Sequence, residues 1–432
     1  MQRNSPMTPA AWPPALALFL ASLLAAPPAP AQPADGLPPP PDYRGEIRRG
    51  ADGHLSATPA TPTASAAAPA APTMIVGPGE RVASIDEAAR LARDGEIIEI
   101  RPGVYGGQPA VWTQDRLVIR GGGGERPVML GDGQNAEGKG IWVVRGGEVL
   151  IENIEFRGAR VPQSNGAGIR FEKGRLTVRG CRFADNEMGI LTANFPEQAL
   201  AVIDSEFSAP PHTAGDLHHL LYVGAIGKFV LRGSRFSGGY LGHLVKSRAR
   251  ENHVLYNMLI DGEGGRASYE LEFPNGGLAF VIGNAIGQSA TTDNPAIIAY
   301  GAEGPRWPDN ALYLAHNTLV NDRFGGDFLR VWNEKFPAGI DIWQINNLLV
   351  GDGNFFPPAQ GRVDGNRRAQ RTDLIPIGDT PLRPTSQSPL RGSVRPPGSA
   401  RGVDLLPTAE FSYPAGSRPL RASSALTPGA FQ

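Results

Sequence analysis

Eight short segments of this chain share one pattern: apolar, any residue, Asn/Asp/Gly/His, any, any, apolar. They run Ile151 to Phe156, Val178 to Phe183, Val202 to Phe207, Leu231 to Phe236, Leu255 to Ile260, Val281 to Ile286, Leu314 to Leu319 and Ile345 to Val350. The closing apolar residues lie 27, 24, 29, 24, 26, 33 and 31 residues apart. No helical period intervenes, and the residues inside the matches are strand formers. A unit this short cannot bury its inner face alone, so successive units must stack. The third position reads as a sharp bend, where Asn, Asp or Gly tolerates left-handed backbone. Stacked Asn side chains such as those of Asn257 and Asn347 would add a ladder. The pattern predicts coils of parallel strand, about 4.8 Å apart, around a core of Ile, Leu, Val and Phe.

The flanks are of different character. Arg3, the apolar run Ala15 to Ala26 and Ala29-Pro30-Ala31 predict an export signal over 1–31, cleaved before Gln32. The run is too short to span a bilayer, so no membrane span and a periplasmic or extracellular location are expected. Residues 32–72 are rich in Pro, Ala and Thr and predict a disordered linker, since there is little to bury. Cys181 is the only cysteine, so the core must hold without an internal disulfide. Ser84, with Glu87 three residues on, predicts the start of a helix to Arg93 whose apolar face is Ile85, Ala88, Ala89 and Ala92. It would cap the first coil.

These features together resemble the right-handed parallel β-helix of the pectin-lyase-like superfamily. The resemblance implies an all-β solenoid with a short N-terminal capping helix, over residues 73–356. Residues 357–432 lack the repeat and are expected to be an extended tail along the coils, or partly disordered. That tail carries ten Arg against five acids in a chain whose formal charge is −1. Charge this loose does not indicate a nucleic-acid partner, and a monomer is expected.

Chemistry concentrates between Asp216 and Gly277. Counting back ten residues from Leu231, Leu255 and Val281 puts Leu221, Val245 and Leu271 in register as inward residues. Alternation then points Tyr222, Lys246 and Glu272 outward in one column, continued by Ala299 and Arg330. The same count sets Leu220, Leu244 and Glu270 beside that column, Arg248 on its other side, and His219, His243 and Tyr269 inward. Such a groove suits a linear anionic polysaccharide. A uronan is broken by β-elimination when a base removes the proton beside a carboxylate, a cation neutralises that carboxylate and an acid protonates the leaving oxygen. Lys246 is the candidate base. Arg248, Arg250 or Arg266 would hold the carboxylate, Tyr222 or His243 would exchange the proton, and Glu270, Glu272, Asn275 and Arg330 would contact the polymer. Each of these is equally compatible with an ordinary surface ion pair.

Val245-Lys246-Ser247, followed by Asn252 and the Asn257 turn, looks like the catalytic-lysine coil of polysaccharide lyase family six. That likeness implies that Lys246 is the base and that an Arg on the next coil and calcium assist. Gly242 and His243 stand where calcium-binding acids are expected, and Tyr269 to Glu272 where the Arg is expected. Glu270 and Glu272 on one face could hold calcium, or act as the pair of an inverting glycosidase. Paired aspartates of the polygalacturonase type and an Asp-Pro-His-Asp motif are absent. A non-catalytic glycan-binding protein, using Trp307, Trp332, Trp343, Tyr300 and Tyr313 as platforms, is the other class.

Overall fold

The computed structural model describes residues 70–432 except 214, 216, 356, 357 and 422–424, with the backbone of Ile47–Arg49 and Leu55–Ala57. The expected signal segment, most of the linker and Asp216 lie outside the described residues. The chain forms two units, 1–65 and 66–432. In the first, Ile47–Arg49 and Leu55–Ala57 pair antiparallel.

The second unit is a parallel β-helix. Three sheets of twelve, eleven and nine strands run along it, and within each the strands follow one another in chain order. Sheet 1 runs from Met74–Val76 to Gly361–Asp364, sheet 2 from Val104–Gly106 to Arg367–Ala369, and sheet 3 from Ala110–Trp112 to Asp327–Val331. One coil reads Val245–Ser247 in sheet 3, Glu251–Leu255 in sheet 1, a tight bend, Met258–Ile260 in sheet 2, then a longer loop to Leu271–Phe273. The inward residues form columns. The rings of Phe156, Phe183, Phe207 and Phe236 stack at 5.2, 4.5 and 4.4 Å, close to the spacing of adjacent strands.

The repeat holds, with two units slipped by one residue. Leu231 pairs with Val254 and Leu314 with Gln344, so the closing residues there are Leu259 and Leu349. The left-handed position is Tyr256 at φ 56° in one unit and Asn346 at φ 56° in the other. Tyr was not an accepted residue for that bend, which moved the frame onto Asn257. In the true frame Asn257 follows the bend and begins the ladder. Asn257 Nδ2 donates to Asn284 Oδ1 at 2.9 Å, and the chain of amides continues through Asn317, Asn347 and Asn366 at 3.0 Å each. Below it, Ser234, Ser205 and Cys181 take the same position. Burial pushes the Cys181 thiol up to about 12, so it is protonated and inert.

The capping helix is Ile85–Leu91, shorter than expected, because Ala92 is already extended. Ser84 Oγ accepts from Glu87 N, and the Glu87 carboxylate accepts from Ala83 N. The C-terminal carbonyls of the helix are capped from the first coils: the Gln114 side-chain amide donates from Nε2 to the Ala89 and Ala92 carbonyls. At the other end stacking runs past 356, because Asn366 extends the ladder although Arg367 and Arg368 replace the apolar strand. The following chain packs along the coils. Leu374, Leu382, Phe411 and Phe431 cover the outer side of sheet 2, and Ala400, Leu405 and Ala409 cover sheet 1. Sheet 3 is left as the face on which the polar cluster stands.

Candidate active site

Sheet 3 pairs Tyr222 with Lys246, Lys246 with Glu272, Glu272 with Ala299 and Ala299 with Arg330. Leu221, Val245, Leu271, Ile298 and Leu329 form the inward column beside them. The outward column therefore stands in the order counted from the sequence.

The residues before the strands do not alternate as expected. Leu220 and Leu244 lie in the core with their inward neighbours Leu221 and Val245. The strands are only three residues long, and the backbone bends before them, so alternation stops at their first residue. Glu270 falls in the column of Leu220, Leu244 and Ile297 and is fully buried. It does not face a polymer. The calcium pair and the glycosidase pair of Glu270 with Glu272 are both excluded, because a buried carboxyl in an apolar column shares no ligand space with its outward neighbour. Conversely, His219 and His243 lie on the side of Glu272 and Tyr222.

Lys246 Nζ is 3.2 Å from Glu272 Oε2 and 3.5 Å from Glu303 Oε1. Arg248 pairs with Glu303 through Nη2 and donates from Nη1 to the Tyr222 hydroxyl, with its guanidinium 5.2 Å from the centre of the Tyr222 ring. His243 Nε2 is 2.8 Å from Glu272 Oε2. Burial would raise the Glu272 carboxyl, but the His243 hydrogen bond and Lys246 outweigh it and hold the group below its ordinary value. Burial lowers His243 against the pull of Glu272, so the imidazole is neutral. His219 is depressed further, by burial and then by His243 and Lys246. Its Nδ1 accepts the His243 backbone N–H at 2.9 Å, which puts the ring proton on Nε2. The His219 ring stacks on Tyr222, centroids 5.4 Å apart.

Glu303 was missed in the sequence. It lies in the turn after the strand Ala296–Tyr300, inside the longest interval between repeats, where an insertion was the available signal. Asn275 belongs to this turn rather than to the open face: its backbone carbonyl accepts from Arg306 N and its side chain donates to Gly304 O at 3.4 Å. Trp307 Nε1 donates to Arg248 O at 3.0 Å, which fixes the start of the Arg248 turn. Gly277, at φ 92°, permits this approach, since a Cβ there would stand 2.8 Å from the Ala249 and Arg250 carbonyls and 3.2 Å from Trp307. Arg250 is exposed on the adjoining turn. Arg266 joins another stack, 5.4 Å from the Tyr240 ring, which in turn stacks on His212. Arg330 lies over Trp332, two coil steps beyond Glu272.

Glu270 carries a consequence for stability. Neither carboxyl oxygen has a hydrogen-bond partner among the described residues. Burial raises the group well above its ordinary value, and Asp261 adds to the shift. Asp261 is itself raised to about 6 by burial. A carboxyl raised in the folded state contributes stability below its unfolded value, and that stability is lost as pH rises through the folded value. Glu270→Gln is therefore expected to raise the thermal midpoint at neutral and alkaline pH and leave it nearly unchanged in acid. Midpoint-against-pH curves that run parallel for the two proteins would contradict the burial of a titrating carboxyl here.

No protein-family model matches the chain, and no curated protein sequence does. Among solved structures it is similar to pectate lyase Pel9A, with TM-score 0.49 and 12% identity over 84% of this chain and 97% of that one. It is also similar to a polysaccharide lyase of family PL6, Pedsa3628 from Pseudopedobacter saltans, with TM-score 0.33 and 11% identity over 74% and 96% of the two chains. The register of the three sheets by itself identifies the fold as a parallel β-helix.

Proposed function

We propose that sheet 3 around Lys246 binds an anionic, uronic-acid-containing polysaccharide and cleaves it by β-elimination. One observation carries this reading. The Glu303 carboxylate rests between Lys246 Nζ and Arg248 Nη2, beside the Tyr222 hydroxyl. This cradle takes a carboxylate next to a proton-transfer group, which is what elimination from a uronate needs. Glu303 comes from a turn and is 42% exposed, so a substrate carboxylate can replace it.

The roles in this reading are as follows. Lys246 Nζ and Arg248 Nη2 both face the Glu303 carboxylate, so in this reading the lysine neutralises the substrate carboxylate together with Arg248, in place of acting as the base. Tyr222 moves the proton. Once deprotonated, its oxygen, to which Arg248 Nη1 donates, takes the proton from the carbon beside the carboxylate. The C–H electron pair forms the new C=C bond, the bond to the glycosidic oxygen breaks, and that oxygen receives the proton from Tyr222. Glu272, fixed by His243, holds Lys246 in the column.

The test is incubation with alginate, pectate, glycosaminoglycans and bacterial uronans, each with calcium and with chelator, followed by the ultraviolet absorbance of unsaturated uronate ends. Ends produced from one of these polymers support elimination. Tight binding with no new ends would make this a glycan-binding protein. Glu303→Gln removes the competing carboxylate and is expected to tighten binding of a uronate oligomer about 2- to 5-fold, the scale of an exposed ion pair. Weaker binding in titration would show that Glu303 contacts substrate instead of yielding to it.

A further inference from the structure

The outward column of sheet 3 continues below Tyr222 through Leu191 to Arg170. Arg170 borders a cleft of about 460 Å³ formed with Arg145, Glu172, Lys173, Asn194 and Phe195. Three cations there face one carboxylate. Glu172 is already committed to Arg145 at 2.8 Å and Lys139 at 2.7 Å, while Arg170 is 3.6 Å from it. Arg170 Nε is buried with no hydrogen-bond partner among the described residues. Lys173 is exposed, and Phe195, 52% exposed, presents an aromatic face at the rim.

We infer that this cleft is a second, remote subsite for the same anionic polysaccharide, which binds a uronate carboxylate through Arg170 and Lys173 and stacks a sugar ring on Phe195. The inference rests on the proposed function and adds the length of chain the protein recognises. Arg170 is three coil steps from Lys246, about 14 Å at the spacing of stacked strands. Leu191 and Tyr222 lie between them and form an apolar floor with Met188, suited to the faces of sugar rings. Each sugar unit spans close to one coil step, so about four units are needed to engage both cationic ends.

The experiment is calorimetric titration of the full chain with oligogalacturonates and oligomannuronates of two to eight residues, for the wild type, Arg170→Gln and a Lys173→Ala/Phe195→Ala variant. The second variant changes only exposed side chains and guards against misfolding of the first. In the wild type, affinity is expected to rise about 10- to 100-fold between trimer and pentamer, the worth of a charge-assisted contact. Both variants lose that rise and bind dimers as the wild type does. A rise preserved in both variants, or absent from the wild type, overturns the subsite. Wild-type binding with the length step but without cleavage overturns the lyase reading and leaves the subsite standing. No binding of any oligomer overturns both.

Discussion

Lys246→Ala is expected to lower kcat/KM on a uronan by about 10²- to 10³-fold, the usual cost of removing one preorganised group that meets developing charge. The loss arises at the carboxylate. Once the proton leaves the adjacent carbon, negative charge grows on the substrate carboxylate, and Arg248 alone would face it. Glu272 is 3% exposed and keeps His243 after the substitution, so the coil retains one partner for its buried carboxylate. Lys246→Met keeps the length of the aliphatic stem without the charge and should lose activity as fully. Steady-state kinetics beside a thermal midpoint checks this. Turnover within about threefold of wild type would remove Lys246 from the mechanism.

Tyr222→Phe is expected to lower kcat by about 10²- to 10⁴-fold, the range for a lost general acid–base group, with substrate affinity nearly unchanged. The ring stays, so its stack with His219 and the Arg248 guanidinium above it are kept. Only the hydroxyl that Arg248 addresses is lost. Comparison of kcat with the dissociation constant of a uronate oligomer separates the two. A variant that loses affinity but keeps kcat would make Tyr222 a binding residue.

Where the sequence could be read, a physical repeat made it legible. Columns on sheet 3 were recoverable because Leu231 and Val281 in sheet 1 stand ten residues after Leu221 and Leu271. In the coil between them the sheet 1 partner is Val254, nine residues after Val245, so the one-residue slip onto Leu255 and a turn one residue shorter cancelled, and the count still reached Val245. The same periodicity failed one residue outside the strands. Leu220 and Leu221 are both in the core, and a bend that turns two consecutive side chains inward leaves no mark in a two-residue alternation. Glu270 was misplaced for that reason, and His219 and His243 with it. Glu303 was hidden differently: it acts from a turn, and turn length varies without disturbing the stack. The slip at Tyr256 shows the third limit, because a residue outside the usual set for a left-handed bend occupies it when its hydroxyl is tied to Thr408 of the packed tail.

The most direct test of elimination at this face is the mass of the fragments released from a uronan that the wild-type protein binds. Elimination is expected to yield, at each cut, one saturated fragment and one new end lacking the elements of water, and neither is expected to form with Lys246→Ala or Tyr222→Phe. Two saturated fragments from each cut would mean hydrolysis, and would contradict the assignment of Lys246, Arg248 and Tyr222 as an elimination site.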